Sequence, residues 1–224
     1  MKVRLSQVLA SVFVAYVAPL ALAAAASSGQ VLQISLYKIT QYGNGETTLN
    51  EIEQLVDNEQ NLGSFSSFSR RTVSEFFAES SQVLSQRVPR KEAGKPFGIK
   101  EDKYVSYYIC RPQDHTICIV TTTAEYPKAA AFGLIQKVFD SSPPSYNLRL
   151  LLQKSKDPQQ VMSALARLQQ GVDEVKGIAM KNMEEVLQRG EKMDNLVAKS
   201  ENLSRESKKF YKTAKKLNTC CTIL

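Results

Sequence analysis

An α+β domain with an antiparallel sheet flanked by helices, followed by a long coiled-coil helix and a lipid-accepting tail, is the fold class this chain predicts. Three observations carry that expectation. Between Val31 and Lys156, stretches of strand-like alternation and β-branched residues interleave with helix-patterned ones. From Leu165 to Leu217, apolar residues recur at steps of three and four, as in a coiled coil. The last five residues, Cys220-Cys221-Thr222-Ile223-Leu224, form a prenylation signal at Cys221, with Cys220 beside it as a second thiol for an acyl or prenyl chain.

The elements follow in order. Residues 1–29 are signal-like: Lys2 and Arg4 precede an almost wholly apolar run from Val8 to Ala26, and Ala21-Leu22-Ala23 resembles a cleavage site. Such a signal conflicts with prenylation, a cytosolic event, so the segment is read as an uncharacterised or misassigned extension, the alternatives being a signal-anchor with the rest of the chain cytosolic and a false prenylation match. Val31 to Ile39 alternates, with Leu32, Ile34 and Leu36 on one face and Gln33, Ser35 and Tyr37 on the other, which predicts a half-buried strand. The Gly43-Asn44-Gly45 turn leads to a weaker strand near Glu46–Ile52.

Thr72 and Glu75 have capping-box spacing and predict the start of a helix lined by Val73, Phe76, Phe77, Val83 and Leu84. A basic loop, Arg87 to Lys95, follows. Tyr104–Cys110 and Thr116–Thr123 read as a hairpin around Pro112-Gln113-Asp114-His115. Pro127 opens a second helix with Phe132, Ile135 and Phe139 at helical spacing. The run Ser141-Ser142-Pro143-Pro144-Ser145 ends it, and a shorter helix, Tyr146–Lys156, completes a domain spanning 30–156.

Residues 157–217 carry the heptad pattern. Its seam is Leu165, Leu168, Val172, Val175, Ala179, Asn182, Val186, Arg189, Met193, Leu196, Ser200, Leu203, Ser207, Phe210, Ala214 and Leu217. Twelve of the sixteen are apolar, and a continuous helix over them would be about 80 Å long. Arg189 sits at the middle, where a buried guanidinium is costly unless partners accept its hydrogen bonds. Gly171, Gly177 and Gly190 each cost about 1 kcal/mol in a helix interior, so the segment is expected to order on meeting partners.

Composition excludes several functions. The chain of 224 residues is 43% hydrophobic and 23% charged, enough for an ordinary core. Its net charge of +7 is concentrated near the end. Lys199, Arg205, Lys208, Lys209, Lys212, Lys215 and Lys216 stand against Glu201 and Glu206 just before the tail 218–224. A basic segment beside lipid-accepting thiols suits an anionic membrane. Zinc-ligand spacing and interleaved aromatics, which would argue for nucleic acid, are missing from the sequence. His115 is the sole histidine, so a histidine-based triad or metal site is not expected. Cys110 and Cys118 are read as two buried thiols, a cross-strand disulfide being the alternative. With no nucleophile–base pair or phosphate loop, the chain is read as a non-enzyme with no cofactor, no metal and no small-molecule substrate.

One run is specific. Val186-Leu187-Gln188-Arg189-Gly190-Glu191-Lys192-Met193-Asp194, continuing through Lys199-Ser200-Glu201-Asn202-Leu203 to Phe210-Tyr211-Lys212-Thr213-Ala214 and Cys220-Cys221, resembles an R-SNARE of the prenylated longin type. Phe65-Ser66-Ser67-Phe68 with Arg70-Arg71, and Glu125-Tyr126-Pro127, are similar to longin-domain landmarks. The resemblance implies a profilin-like longin domain with a five-stranded antiparallel sheet between helices. It also implies a SNARE helix that joins three glutamine-type SNARE helices in a bundle driving fusion. Arg189 would be its central-layer residue.

It further implies prenyl transfer to Cys221 by a prenyltransferase and palmitoyl or a second prenyl on Cys220. The expected location is the cytoplasmic side of endomembranes (Golgi, ER, vesicles, vacuole or endosome), with a soluble pool. The longin domain would fold back on the SNARE segment, with Phe76 and Phe77 as groove candidates; Glu79 stands where an aromatic would suit that groove. The rival readings are a lipidated coiled-coil adaptor without fusion activity and, behind it, a longin-associated acyltransferase.

Overall fold

A computed structural model describes residues 29–43, 48–101, 103–141, 147–157, 178–187 and 191–220, with backbone alone at 55–58 and 214–220. The signal-like extension 1–28, the Gly43-Asn44-Gly45 turn beyond Gly43, and most of the first half of the heptad segment lie outside these residues. So do Gln188, Arg189 and Gly190.

Strand β1 (Val31–Gln41) is buried on both faces from Val31 to Tyr37, where alternation predicted a half-buried strand. It runs between β2 (Glu51–Gln60) and β5 (Thr116–Thr123), antiparallel to both. A register shift between Val31 and Gln33 turns Leu32 away from Ile34 and Leu36. The polar face of β1 is covered by helix α1 (Ser67–Ser85) and is held by hydrogen bonds: Gln33 donates to the Phe77 carbonyl at 3.1 Å and to Ser81 Oγ at 3.0 Å. Tyr37 and Ser81 hydroxyls pair at 2.9 Å, and Gln60 donates to Gln33 Oε1 at 2.7 Å. Periodicity reports which side chains are polar, and here a helix supplies their partners, so they are buried.

Two boundaries differ from the sequence pattern. β2 runs from Glu51 to Gln60, well past the expected end at Ile52, because its acidic sequence forms an edge strand that no apolar alternation marks. Helix α1 starts five residues before the expected capping box, since Ser66 Oγ accepts from the Ser69 amide and takes the cap. Thr72 is inside the helix. A 3-10 turn (Arg90–Glu92) and strand β3 (Phe97–Glu101) follow. β4 (Tyr104–Arg111) and β5 make the expected hairpin, with His115 at φ 57° in its turn. Helices α2 (Lys128–Asp140) and α3 (Leu148–Lys154) cover the opposite face, packing Phe132, Leu134, Ile135, Leu148 and Leu152 on Ile34, Leu36 and Val120.

The sheet order is β2-β1-β5-β4-β3-β6. The first five in that order are antiparallel neighbours, as expected for the domain. The sixth, β6 (Ala179–Asn182), comes from the heptad segment and lies parallel to β3, Phe97 opposite Ala179 and Lys100 opposite Asn182. At Gly98 a Cβ would meet Met180 Sδ, the end of a flexible side chain that packs over the glycine.

After β6 come α4 (Met183–Val186), α5 (Met193–Lys199) and α6 (Arg205–Cys220). The continuous 80 Å helix is therefore not the conformation of this segment in the isolated chain. Its polar seam residues show why. Asn182 donates through its backbone and side-chain amides to Glu185 at 3.4 and 3.1 Å. Ser200 Oγ accepts from the amides of Asn202 and Leu203, both at 3.2 Å, and Ser204 Oγ accepts from Ser207 N at 3.3 Å. Short polar side chains thus offer the backbone alternatives to the helical ladder where the seam lacks apolar residues.

Candidate functional site at the docked C-terminal segment

Residues 178–187 and 191–211 complete the second face of the sheet. Met183, Leu187, Met193, Val197 and Leu203 enter one core with Phe97, Ile99, Tyr108, Ile117 and Leu84. Among the described seam residues, Met193 and Leu203 are buried in this core, and Ser200 and Ser207 are buried beside it. Val186 and Leu196 are half-buried against the same core. Ala179 and Asn182 are exposed on β6, and Phe210 is exposed on α6. Ala214, Leu217 and Cys220 lie on α6 where only the backbone is described. Leu165, Leu168, Val172, Val175, Arg189 and Cys221 fall outside the described residues.

The heptad reading passed over Ile178, Met183, Leu187 and Val197, which are buried although off the seam. A signal for them exists: Met183 with Leu187 and Met193 with Val197 are four apart, a second apolar register.

Polar contacts ring this core, and most of them join the segment to the domain. Arg87, only 4% exposed in its side chain, donates from Nε and Nη2 to both carboxylate oxygens of Glu191 at 3.1–3.2 Å. Lys181 Nζ reaches Glu92 Oε1 at 2.7 Å and stands 4.4 Å over the Phe97 ring, while Tyr108 OH donates to Glu92 Oε2 at 3.2 Å. Asn202 Nδ2 donates to Glu79 at 3.1 Å. Glu79, unexpected as a groove residue, therefore meets a polar partner.

Glu75 links the domain to two groups of the segment at once. Its Oε2 accepts from the Ser204 amide at 2.9 Å and from Ser207 Oγ at 2.7 Å, at the first turn of α6. A carboxylate there satisfies an orphan helix amide and meets the positive end of the helix dipole. Burial alone would raise the Glu75 pKa; hydrogen bonds from Ser204, Ser207 and Arg71 outweigh it and bring the group down to about 2.

The two groove candidates separate. Phe76 is half-buried and stacks on Tyr211 of α6, ring centroids 5.7 Å apart. Phe77 packs inside the domain on Leu32 and Val73, edge-on to Tyr104 at 5.1 Å.

Cys110 and Cys118 are free and buried. Pairing Ile109 with Cys118 and Cys110 with Ile117 puts them on opposite faces of the hairpin, so they cannot bridge. Burial pushes both thiols up. Cys110 lies 3.5 Å from Tyr42 OH, which in turn is 3.4 Å from His115 Nδ1. Among the described residues, no group of three or more His, Cys, Asp and Glu could hold a metal ion, and no helix is long and apolar enough to cross a membrane.

Comparison with known proteins places names on both halves. The Synaptobrevin family model matches residues 164–222, and the regulated-SNARE-like (longin) domain model matches residues 62–147. The chain is 37% identical over 183 residues to a protein of Debaryomyces hansenii named synaptobrevin homolog YKT6, covering 74% of this chain and 89% of that one. It is 33% identical over 208 residues to the Saccharomyces cerevisiae protein of the same name, covering 84% and 99%. The Schizosaccharomyces pombe protein, also so named, is 32% identical over 185 residues, covering 76% and 91%. A strand-and-helix segment matched by the synaptobrevin model, docked on a domain matched by the longin model, has one family assignment: the chain belongs to the YKT6 family of synaptobrevin homologues, longin-type R-SNAREs of vesicle trafficking and membrane fusion.

Proposed function

We propose that this R-SNARE is held by its own longin domain in a closed form and released to form a four-helix bundle with three glutamine-type SNARE helices. The observation that carries the reading is the burial of the seam residues Met193 and Leu203 in the core of the longin face, with the seam residue Ser207 hydrogen-bonded to Glu75. A side chain cannot fill that core and a bundle layer at once, so docking and zippering compete. In the bundle, Arg189 supplies the charged donor of the central layer to three partner glutamines. Prenyl on Cys221, added by a prenyltransferase, and palmitoyl or a second prenyl on Cys220 anchor the chain to the cytoplasmic face of Golgi, ER, vesicle, vacuolar or endosomal membranes. Zippering toward that anchor draws two membranes together. No catalytic step is part of this reading.

Bundle assembly with glutamine-type helices tests it. Arg87→Ala strands Glu191 and weakens docking by about 2 kcal/mol, less than for a fully buried pair because Glu191 keeps some water. Assembly is expected to accelerate accordingly. Arg189→Gln is expected to slow or misregister assembly, with partial recovery when one partner glutamine becomes arginine. An adaptor would form no detergent-resistant bundle at all. Unchanged assembly in both variants would sink the closed form and the central-layer role together.

A further inference from the structure

Docking hides one face of α6 and leaves another open. Ser207 and Tyr211 face the domain through Glu75 and Phe76. On another side of the helix, Arg205, Lys209 and Lys212 are all exposed. Their spacing of four and then three puts them in one row, and the sequence continues it with Lys216. The row is about 17 Å long, holds no acidic residue, and ends four residues before Cys220. Lys208 is turned elsewhere, donating to the Ala198 carbonyl at 3.1 Å.

We infer that this row is a docking surface for an anionic lipid bilayer that works while the SNARE segment is still closed. The inference rests on the closed, lipid-tailed reading above. Cations in a row along a surface helix match a plane of negative headgroups, and Arg205, Lys209 and Lys212 are already exposed in the docked state. Single-stranded nucleic acid would also be drawn to cations, but its binding needs aromatic platforms among them, and the row has none. Membrane contact and exposure of the seam are therefore separate events. The closed chain can be retained at an anionic surface and opened there, so arrival at the membrane does not by itself commit the seam to zippering.

The test uses the full chain without lipid, phosphatidylcholine vesicles with and without phosphatidylserine, and amide hydrogen exchange of residues 193–207 as the reporter of closure. Expected are co-sedimentation with the phosphatidylserine vesicles alone, loss of it on adding salt, and unchanged protection of 193–207 on the vesicle. Lys209→Gln with Lys212→Gln is expected to weaken binding about fivefold for each charge, leaving protection as in the parent. Arg87→Ala, which loosens docking, is expected to bind vesicles as the parent does. No binding, equal binding to neutral vesicles, binding that appears only as protection is lost, or displacement from vesicles by a small excess of polyuridylate would each overturn the inference. Bundle assembly in solution, read on the same proteins, is independent of the row. Its failure would fall on the R-SNARE reading and its success with failed vesicle binding would fall on this inference alone.

Discussion

Glu75 shows how one residue changes role between sequence and fold. By spacing it belongs to a capping box with Thr72; in the structure it lies inside α1 and caps a different helix, α6, through Ser204 and Ser207. No local rule reveals this, because the two partners are more than a hundred residues apart. The consequence is a pH dependence with a definite sign. Docking depresses the Glu75 pKa from its ordinary 4.5 to about 2. Its contribution is therefore fully present above about pH 4.5 and lost as pH falls through that value toward 2. Hydrogen exchange of α6 amides should show protection falling in this window. Glu75→Gln should reduce protection at neutral pH and flatten this part of the profile; a profile identical to the parent's would remove Glu75 from the latch.

Among elements, the heptad segment has two structures within reach. Its apolar spacing is that of a bundle helix, yet docked on the longin domain its described residues form a strand and three separate helices. The breaks fall at or near Asn182, Ser200 and Ser204, whose side chains cap the backbone locally. Partner helices would offer enough apolar contact to override those caps; solvent does not. Circular dichroism of isolated residues 157–217 should thus show little helix, with a large gain on mixing with three glutamine-type helices. Strong helicity in the isolated segment would mean that the docked strand and breaks are imposed wholly by the longin face and not favoured by the segment itself.

At the scale of the whole molecule, a longin domain, a docked segment and the proposed lipid tail would give two levels of control over membrane encounter. The anchor is expected to depend on two chains, since one lipid holds a protein only marginally. Cys221→Ser should shift the protein from membranes to cytosol on fractionation. Cys220→Ser should leave weaker, reversible attachment. If Cys221→Ser fractionates as the parent does, the anchor is residues 1–28 or a partner.

Period-two and heptad patterns, turn residues and the tail motif are local properties. The sequence therefore determined by itself the β4–β5 hairpin, the helix after Pro127, the antiparallel sheet flanked by helices, and the R-SNARE character of the C-terminal half. Local chemistry misled where partners are distant: Gln33 and Ser35 are polar and wholly buried under α1, and the edge strand β2 is too acidic to be marked by alternation. Tertiary structure alone decided that Met183, Leu187 and Val197 share a core with the seam residues Met193 and Leu203, and that Arg87, Glu79 and Glu75 hold the segment there. A heptad pattern states which residues seek burial, but which surface buries them depends on what packs against them, and in this chain that surface is the longin sheet.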